Sequence, residues 1–485
     1  MFRKHEPVHR EKLTRDIQII TPKHIRIIAL ILIIVVFGLV LPLFPFKFGW
    51  AIIMIVPAII VSIYILRNPY YGIYLFFFYS YLRPYDFIPA LRVLRLTMLI
   101  EIVTLIAWLL KLFISKAEIK WSMLSWCFLA FMGVIGITVV TAENNFYAYE
   151  EFFDMAIFFV IFIIATNVIN SSGQLNKIIW ILLLIHFYFA VNGIITFVNE
   201  QHISGGQYTS GVVSHGYIGD ENDFALIINT MIPFTFFGLF YFKRKVKIIS
   251  AILLATFVLA VISSFSRGGF IGLACLLLYC IFSGKRKLLS FGVIISIVAA
   301  MYLFAPSSYW DEAKTIQEID MGTADNRIRY WKAGFRMFKD YPIVGVGAGN
   351  CGVHLPKYIR GGTRDPNTEW GRVLHGTFPQ IIAELGILGS FFYFSMIIIA
   401  FKLLYRIKNR KVGEGGDNLS KYMANSIIGS LIAYFACATF LSTAYYPHLW
   451  TLYTFTLILV YNQNKNSKDK IDKHNNTITE NKSAS

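Results

Sequence analysis

Three residues in this 485-residue chain have types and settings suited to phosphate chemistry: Arg267, Arg327 and His375. Arginine is always charged, and its planar fork matches phosphate oxygens two at a time. Histidine titrates near neutral pH and serves as proton acceptor or hydrogen-bond donor. Arg267 lies in Ser264–Phe265–Ser266–Arg267–Gly268–Gly269, between two apolar segments. An arginine at membrane depth is costly unless it snorkels, pairs or faces an aqueous cavity, and the two glycines let backbone approach a ligand closely. Arg327 falls in the first turn of an expected loop helix, where unpaired N–H groups and the helix dipole favour an anion. His375 sits in Val373–Leu374–His375–Gly376–Thr377–Phe378, where a polar loop meets the next apolar segment.

Taken singly, each has a plainer reading: a snorkelling arginine at a tight turn, a solvated arginine, a structural interfacial histidine. Two cations and a histidine at one membrane face instead suit an anionic lipid headgroup, with pyrophosphate a natural match. Transfer from a lipid pyrophosphate needs no nucleotide, because the leaving group carries the energy. It needs cations on the departing charge and a group to orient or deprotonate the acceptor hydroxyl. No cofactor is expected and no metal pair stands out. Asp220–Glu221–Asn222–Asp223 reads as a helix cap at a span entrance.

The elements positioning these residues are membrane helices. Hydrophobic residues make up 56% of the chain and charged residues 15%, with mean hydropathy +0.58, as in polytopic helical membrane proteins. The 43 Phe and 27 Tyr suit lipid-facing and interfacial positions. The net charge of +17 sits in short links between apolar runs, which follows the positive-inside rule and argues against a nucleic-acid partner. Five cysteines form no CxxC pair and no metal-ligand spacing, and Cys351 reads as a packed small residue.

Fourteen apolar stretches are candidate spans: 27–45, 48–66, 70–82, 97–115, 122–141, 152–169, 178–198, 222–242, 248–265, 268–283, 288–305, 378–402, 424–442 and 445–461. The expected fold is all-α: a polytopic integral membrane bundle of about 12–14 transmembrane helices with one large extracytoplasmic loop. Residues 1–26 form a cytoplasmic tail, 27–305 and 378–461 the transmembrane parts, 306–377 the catalytic loop, and 462–485 a disordered cytoplasmic tail. Basic links such as Lys243–Lys247 and Lys285–Lys287 then fall inside, and the acidic link Thr141–Glu151 outside. Arg83, Arg92 and Arg95 break that bias; either 70–82 does not span or these arginines hold an anionic ligand.

Within the loop, Asp325 or Asn326 can cap a helix running to about Lys339, ending before Pro342. Ile328, Trp331, Phe335 and Phe338 form its apolar stripe, and Arg329, Lys332, Arg336 and Lys339 a basic stripe suited to headgroup phosphates. Gly345–Val346–Gly347–Ala348–Gly349 reads as a turn packing closely on the membrane domain, since the context of a dinucleotide fingerprint is missing.

Four pieces in order carry a family resemblance over about residues 215–400. They are Asn222–Asp223–Phe224–Ala225–Leu226 with Pro233; Ser266–Arg267–Gly268–Gly269; Arg327 and Trp331 with Asp340–Tyr341–Pro342–Ile343–Val344–Gly345–Val346–Gly347; and His375 with Ala383–Glu384–Leu385–Gly386–Ile387–Leu388–Gly389. Together they resemble the O-antigen ligase and polymerase family of bacterial envelope glycan enzymes. Asn68–Pro69–Tyr70 through Leu82–Arg83–Pro84 is similar to an O-glycosylation-ligase subgroup.

The resemblance implies inverting, metal-independent glycosyl transfer on the outer face of the bacterial cytoplasmic membrane. The donor would be an undecaprenyl-diphosphate-linked glycan, and the acceptor a lipid, a protein or a second lipid-linked glycan. By matching position, Arg267 and Arg327 bind the donor pyrophosphate and His375 activates or orients the acceptor, with Arg329, Arg336, Asn222 and Arg83 as further substrate contacts. Arg329 is an alternative to Arg327 as the operative loop arginine. Gly376–Thr377 follows His375 where many relatives place a second histidine. A ligase and a polymerase share these motifs and differ in acceptor. A lipid-linked glycan flippase is the competing class, but it should place its charges at mid-bilayer in broken helices.

Overall fold

A computed structural model describes residues 46–204, 220–283, 291–292, 295, 299, 323–360, 366–410 and 417–483. The candidate spans 27–45 and 288–305 lie outside the described residues, apart from positions 291, 292, 295 and 299 of the second. The chain divides into two compact units, Met1–Arg67 and Asn68–Ser485. The described part of the first is helix α1, Phe46–Arg67, with Pro57 inside it.

The second unit is helical, with no strand among its described residues. Tyr70–Leu82 (α2) ends at Arg83 in the left-handed region, and the short helix Pro84–Phe87 (α3) and a 3-10 turn at Pro89–Leu94 follow. Then come Leu96–Ser115 (α4), Met123–Thr141 (α5), Asn145–Val168 (α6), Ser172–Ser204 (α7), Glu221–Tyr241 (α8), Arg244–Ser263 (α9) and Arg267–Ser283 (α10). Thr323–Asp340 (α11) and Cys351–Tyr358 (α12) are the described helices of the loop, and Thr377–Asn409 (α13), Asn418–Ala438 (α14) and Pro447–Ser483 (α15) follow. The molecule is a polytopic helical membrane protein: among the described residues α4 through α9 and α13 are long and apolar enough to cross a membrane. With 13 residues, α2 reaches only about 20 Å at 1.5 Å per residue, short of a ~30 Å hydrocarbon core.

Polar contacts between helices explain why α14 is less apolar than a lone span. Its Tyr422, Ser426 and Ser430, four residues apart, donate to the α8 carbonyls of Phe234 (3.0 Å), Pro233 (3.4 Å) and Thr230 (2.6 Å). Pro233 already interrupts the α8 backbone ladder, and each such contact between membrane helices is worth roughly 0.6 kcal/mol. On the other side of α8, Asn229 donates to the Gly269 carbonyl of α10 at 2.8 Å. Gly269 and Gly272 let α10 close on Ala225 and Cys437, where a Cβ would overlap them.

The glycine-rich loop segment does pack on the membrane domain, by exchanging backbone hydrogen bonds with a broken helix. Gly386 (φ 59°) interrupts α13, leaving carbonyls above the break and N–H groups below it without helical partners. The N–H groups of Val346 and Gly347 donate to the carbonyls of Ala383 and Glu384, both at 2.9 Å. The N–H groups of Ile387 and Leu388 donate in turn to the carbonyls of Pro342 (2.8 Å) and Ile343 (3.2 Å). Gly345 (φ 72°) and Gly386 are both required here, because each is left-handed and a Cβ on either would collide with backbone of the other segment. Asn350 closes the far end of this seam: its Oδ1 accepts from Asn144 N at 2.9 Å and its Nδ2 donates to Asn144 O at 3.1 Å.

Three sequence expectations change. Helix α11 begins at Thr323, before both proposed caps. Its face toward the protein is Tyr330, Ala333 and Met337, joined in a small core with Val346, Cys351, Leu355 and Leu374, whereas Ile328 and Phe335 are 46% and 50% exposed. Periodicity located an apolar stripe, but a second one built from Tyr, Ala and Met has weaker hydropathy and is the one the loop buries. Finally, α15 continues to Ser483 through the tail expected to be disordered. That tail has the polar composition of disorder, yet no Gly or Pro follows Pro447, so nothing in the sequence terminates the helix.

Candidate functional site

The site grows from two adjacent helix N-termini. Asp220 caps α8, its Oδ1 accepting from the N–H groups of Asn222 and Asp223 at 2.8 Å each. Ser266 caps α10, its Oγ accepting from Gly269 N at 2.9 Å, and the same hydroxyl donates to Asn222 Oδ1 at 2.7 Å. That bond fixes the two N-termini side by side, with Arg267 as the first residue of α10 and exposed. Phe265 (φ 53°) supplies the left-handed turn before it. Two helix dipoles thus end beside one arginine, a setting that favours an anion.

The loop brings the other groups over this base. Arg327, in the first turns of α11, lies with its guanidinium carbon 5.9 Å from the Phe440 ring centre. Trp331, one turn on, donates its Nε1–H to the carbonyl of His375 at 3.3 Å. His375 itself is left-handed (φ 49°), an uncommon conformation for a residue other than glycine. It is held from three sides. Its ring stacks on Tyr330 with centres 6.0 Å apart, and the Tyr330 hydroxyl donates to Glu369 Oε2 at 2.8 Å. Arg372 pairs with the same Glu369 oxygen at 3.2 Å. After it, Thr377 Oγ1 donates to Leu441 O at 2.7 Å and accepts from Thr443 N at 2.9 Å, tying the histidine to the α14–α15 link. Gly376 packs against Trp331 Nε1 so closely that a side chain there would displace the indole.

The three residues are also close enough to act on one another electrostatically. Burial first, and the nearby Arg267 charge second, push Arg327 below the usual arginine range, with Asp220 opposing them. Burial also pushes the His375 imidazole down; the Arg327 and Arg372 charges add to this and Asp220 resists it. The imidazole is therefore neutral at neutral pH and free to accept a proton. Two like-charged guanidiniums close enough to affect one another, the Arg327 one half-buried, make a setting that favours a bound anion.

Beside this cluster, under the loop, is a cavity of about 510 Å³ between the first turns of α6 and α13. Its walls carry Glu150, Glu151, Asp154 and Glu384, and its rim includes Arg372 and Leu374, next to His375. Tyr446, which also lines it, donates to Asp223 Oδ2 at 3.1 Å and so links the cavity wall to the α8 N-terminus.

Of the expected site residues, Arg267, Arg327, His375 and Asn222 come together. Arg329 lies on the next face of α11, its Nη1 donating to Asn326 Oδ1 at 2.9 Å. Arg336, more than two turns further, is engaged inside the loop, donating to the Tyr358 carbonyl at 2.7 Å. Arg83 pairs with Asp86 at 2.8 Å and lines a different, small cleft with His186 and His448. Among the described residues no cluster of three or more His, Cys, Asp or Glu side chains is arranged to hold a metal. Sequence reasoning missed Arg372, Glu369, Phe440 and the cavity carboxylates. For the last the signal was present, since Glu151, Asp154 and Glu384 fall inside helices apolar enough to span, where a carboxylate is a functional candidate by default.

Residues 251–394 match the family model described as O-antigen ligase, a stretch that contains Arg267, Arg327 and His375. Among curated proteins no match was found. The match and the run of apolar helices point to a bacterial membrane protein, and over residues 251–394 the chain is similar to the O-antigen ligase family.

Proposed function

We propose that the protein transfers a glycan from an undecaprenyl-diphosphate-linked donor to an acceptor hydroxyl on the outer face of the cytoplasmic membrane, with inversion and without a metal. The observation that carries this reading is the gathering of Arg267, Arg327 and a neutral His375 around two helix N-termini. In the proposed step the acceptor oxygen attacks the donor's anomeric carbon from the face opposite the diphosphate, and His375 takes the hydroxyl proton. The bond from the anomeric carbon to the diphosphate oxygen breaks, and its electron pair leaves with undecaprenyl diphosphate. Arg267, Arg327 and the N–H groups at the start of α10 hold the charge that develops on the leaving oxygen; one such donor is worth about 10²–10³ in rate. Arg329 and Arg336 serve the loop's own structure in this reading, and Asn222 orients the α10 N-terminus through Ser266.

The experiment is direct: incubate the purified protein with lipid-linked glycan of known anomeric configuration and acceptor, and read the new linkage by NMR. Inverted product with undecaprenyl diphosphate released supports the proposal. Retained configuration, or an absolute need for a divalent cation, contradicts it.

A further inference from the structure

Two places on the loop leave large apolar side chains uncovered. On α11 the face opposite the buried Tyr330, Ala333 and Met337 carries Ile328, Lys332, Phe335 and Lys339, spaced four, three and four residues apart as one stripe of a helix requires. All four are exposed. Arg329 and Arg336 do not add to this stripe, because they bond to Asn326 and to the Tyr358 carbonyl. The second place is Ile343, 61% exposed, in the seam against the break in α13.

The depth of that seam follows from α13. Its 33 residues exceed the ~20 that a bilayer core needs, and its far end is marked by Lys402, Arg406 and Lys408. Counting about 20 residues back from Phe401 reaches Ile382, so the break at Gly386 lies at or just inside the loop-side edge of the hydrocarbon. Ile387 and Phe391, 59% and 63% exposed, are lipid-facing positions just past it. Ile343 is held at the same level, since its carbonyl accepts from Leu388 N at 3.2 Å. Irregular backbone at such a depth needs internal partners. The Tyr341 and Pro342 carbonyls have them, accepting from Gly345 N at 3.1 Å and Ile387 N at 2.8 Å.

We propose that this side of the loop docks on the loop-side leaflet of the bilayer: Ile343, Phe335 and Ile328 enter the acyl boundary, and Lys332 and Lys339 bind the phosphates of anionic phospholipids. The occupant is lipid for two reasons. Ile343 continues the lipid-facing stripe of α13 at the same depth, and a helix face that alternates apolar and basic residues complements the headgroup layer. Docking also has a consequence for the site, because Arg327 adjoins Ile328 on the same helix and is thereby held near the level of lipid phosphates. The docking itself does not depend on the transfer reaction proposed above.

The test puts the photo-crosslinking residue p-benzoylphenylalanine in place of Phe335, or of Ile343, in the full-length protein. Each variant is irradiated in nanodiscs of equal phosphatidylglycerol and phosphatidylethanolamine, and its adducts are identified by mass spectrometry. The same replacement at Phe391, on the lipid-facing side of α13, is the positive control. Both loop positions should form phospholipid adducts at yields comparable to Phe391. At Phe335 the phosphatidylglycerol adducts should exceed the phosphatidylethanolamine adducts by about fivefold, the scale of one lysine at an anionic surface. Lys332→Gln combined with Lys339→Gln should abolish that excess. Transfer is not read, so an inactive protein leaves the outcome interpretable, and failure here leaves the transfer reaction standing. Absence of lipid adducts at Phe335 and Ile343 when Phe391 gives them, crosslinks to a second copy or to another part of the chain in place of lipid, or an unchanged excess in the double variant would each overturn the docking.

Discussion

The Trp331 indole N–H donates to the backbone carbonyl of His375 at 3.3 Å, so the helix carrying Arg327 also fixes the histidine 44 residues further on. One helix sets the positions of Arg327 and of the proposed base together. Trp331→Phe keeps the ring but removes the donor. The expected result is a fall in kcat of about fivefold, the worth of one ordinary hydrogen bond, with KM for the donor little changed. A change confined to KM would show that the indole serves binding and not the placement of His375.

Gly345 and Gly386 interlock the loop with the break in α13. Alanine at either position must adopt a left-handed backbone and collide with the opposite segment, at a cost of about 1–3 kcal/mol for the backbone conformation alone. Gly386→Ala should lower Tm and reduce transfer while leaving the protein in the membrane. Gly371→Ala is the control: it has the same left-handed sign but an added Cβ there meets nothing, so its effect should be smaller. Equal losses at both positions would mean that the seam adds nothing beyond local strain.

The pH dependence follows from the depressed His375 imidazole. The neutral form accepts the proton, so transfer should be full at neutral pH and fall as pH drops through a midpoint below the 6.5 of an ordinary histidine. Removing a neighbouring positive charge makes the imidazolium less unfavourable, so Arg372→Gln should raise the midpoint. Removing the opposing carboxylate, as in Asp220→Asn, should lower it. The pH dependence of diethyl pyrocarbonate modification at His375, read by mass spectrometry, measures the midpoint without relying on turnover. Midpoints that move the other way, or stay put, would show that these charges do not reach the histidine.

Much of this was legible in the sequence, for identifiable reasons. Helix positions followed from long apolar runs. Ser266–Arg267–Gly268–Gly269 stood out because a charge and two glycines interrupt an apolar context, and Gly345–Val346–Gly347 because glycine density marks close approach. What was hidden depends on which surfaces meet. Arg329, Arg336 and Arg327 look alike along α11, and only the fold shows Arg336 turned to the Tyr358 carbonyl and Arg327 turned to Phe440. The buried stripe Tyr330–Ala333–Met337 was masked by the stronger hydropathy of Ile328 and Phe335. Gln380 and Glu384 gain meaning only across a cavity whose other wall is more than 200 residues away in sequence, at Glu150–Asp154.

The central claim is that Arg267 and Arg327 together hold the donor diphosphate beside His375. The most direct measurement is the amount of glycan left on its lipid carrier in cells carrying Arg327→Ala or Arg327→Lys, compared with wild type and with Arg336→Ala. Lysine keeps the charge but not the two-pronged fork, so both Arg327 variants should accumulate lipid-linked glycan and lose surface glycan, with Arg327→Lys the milder. Arg336→Ala, if the protein still inserts, should accumulate far less. Normal surface glycan in Arg327→Ala, from protein shown to be present in the membrane, would contradict the claim.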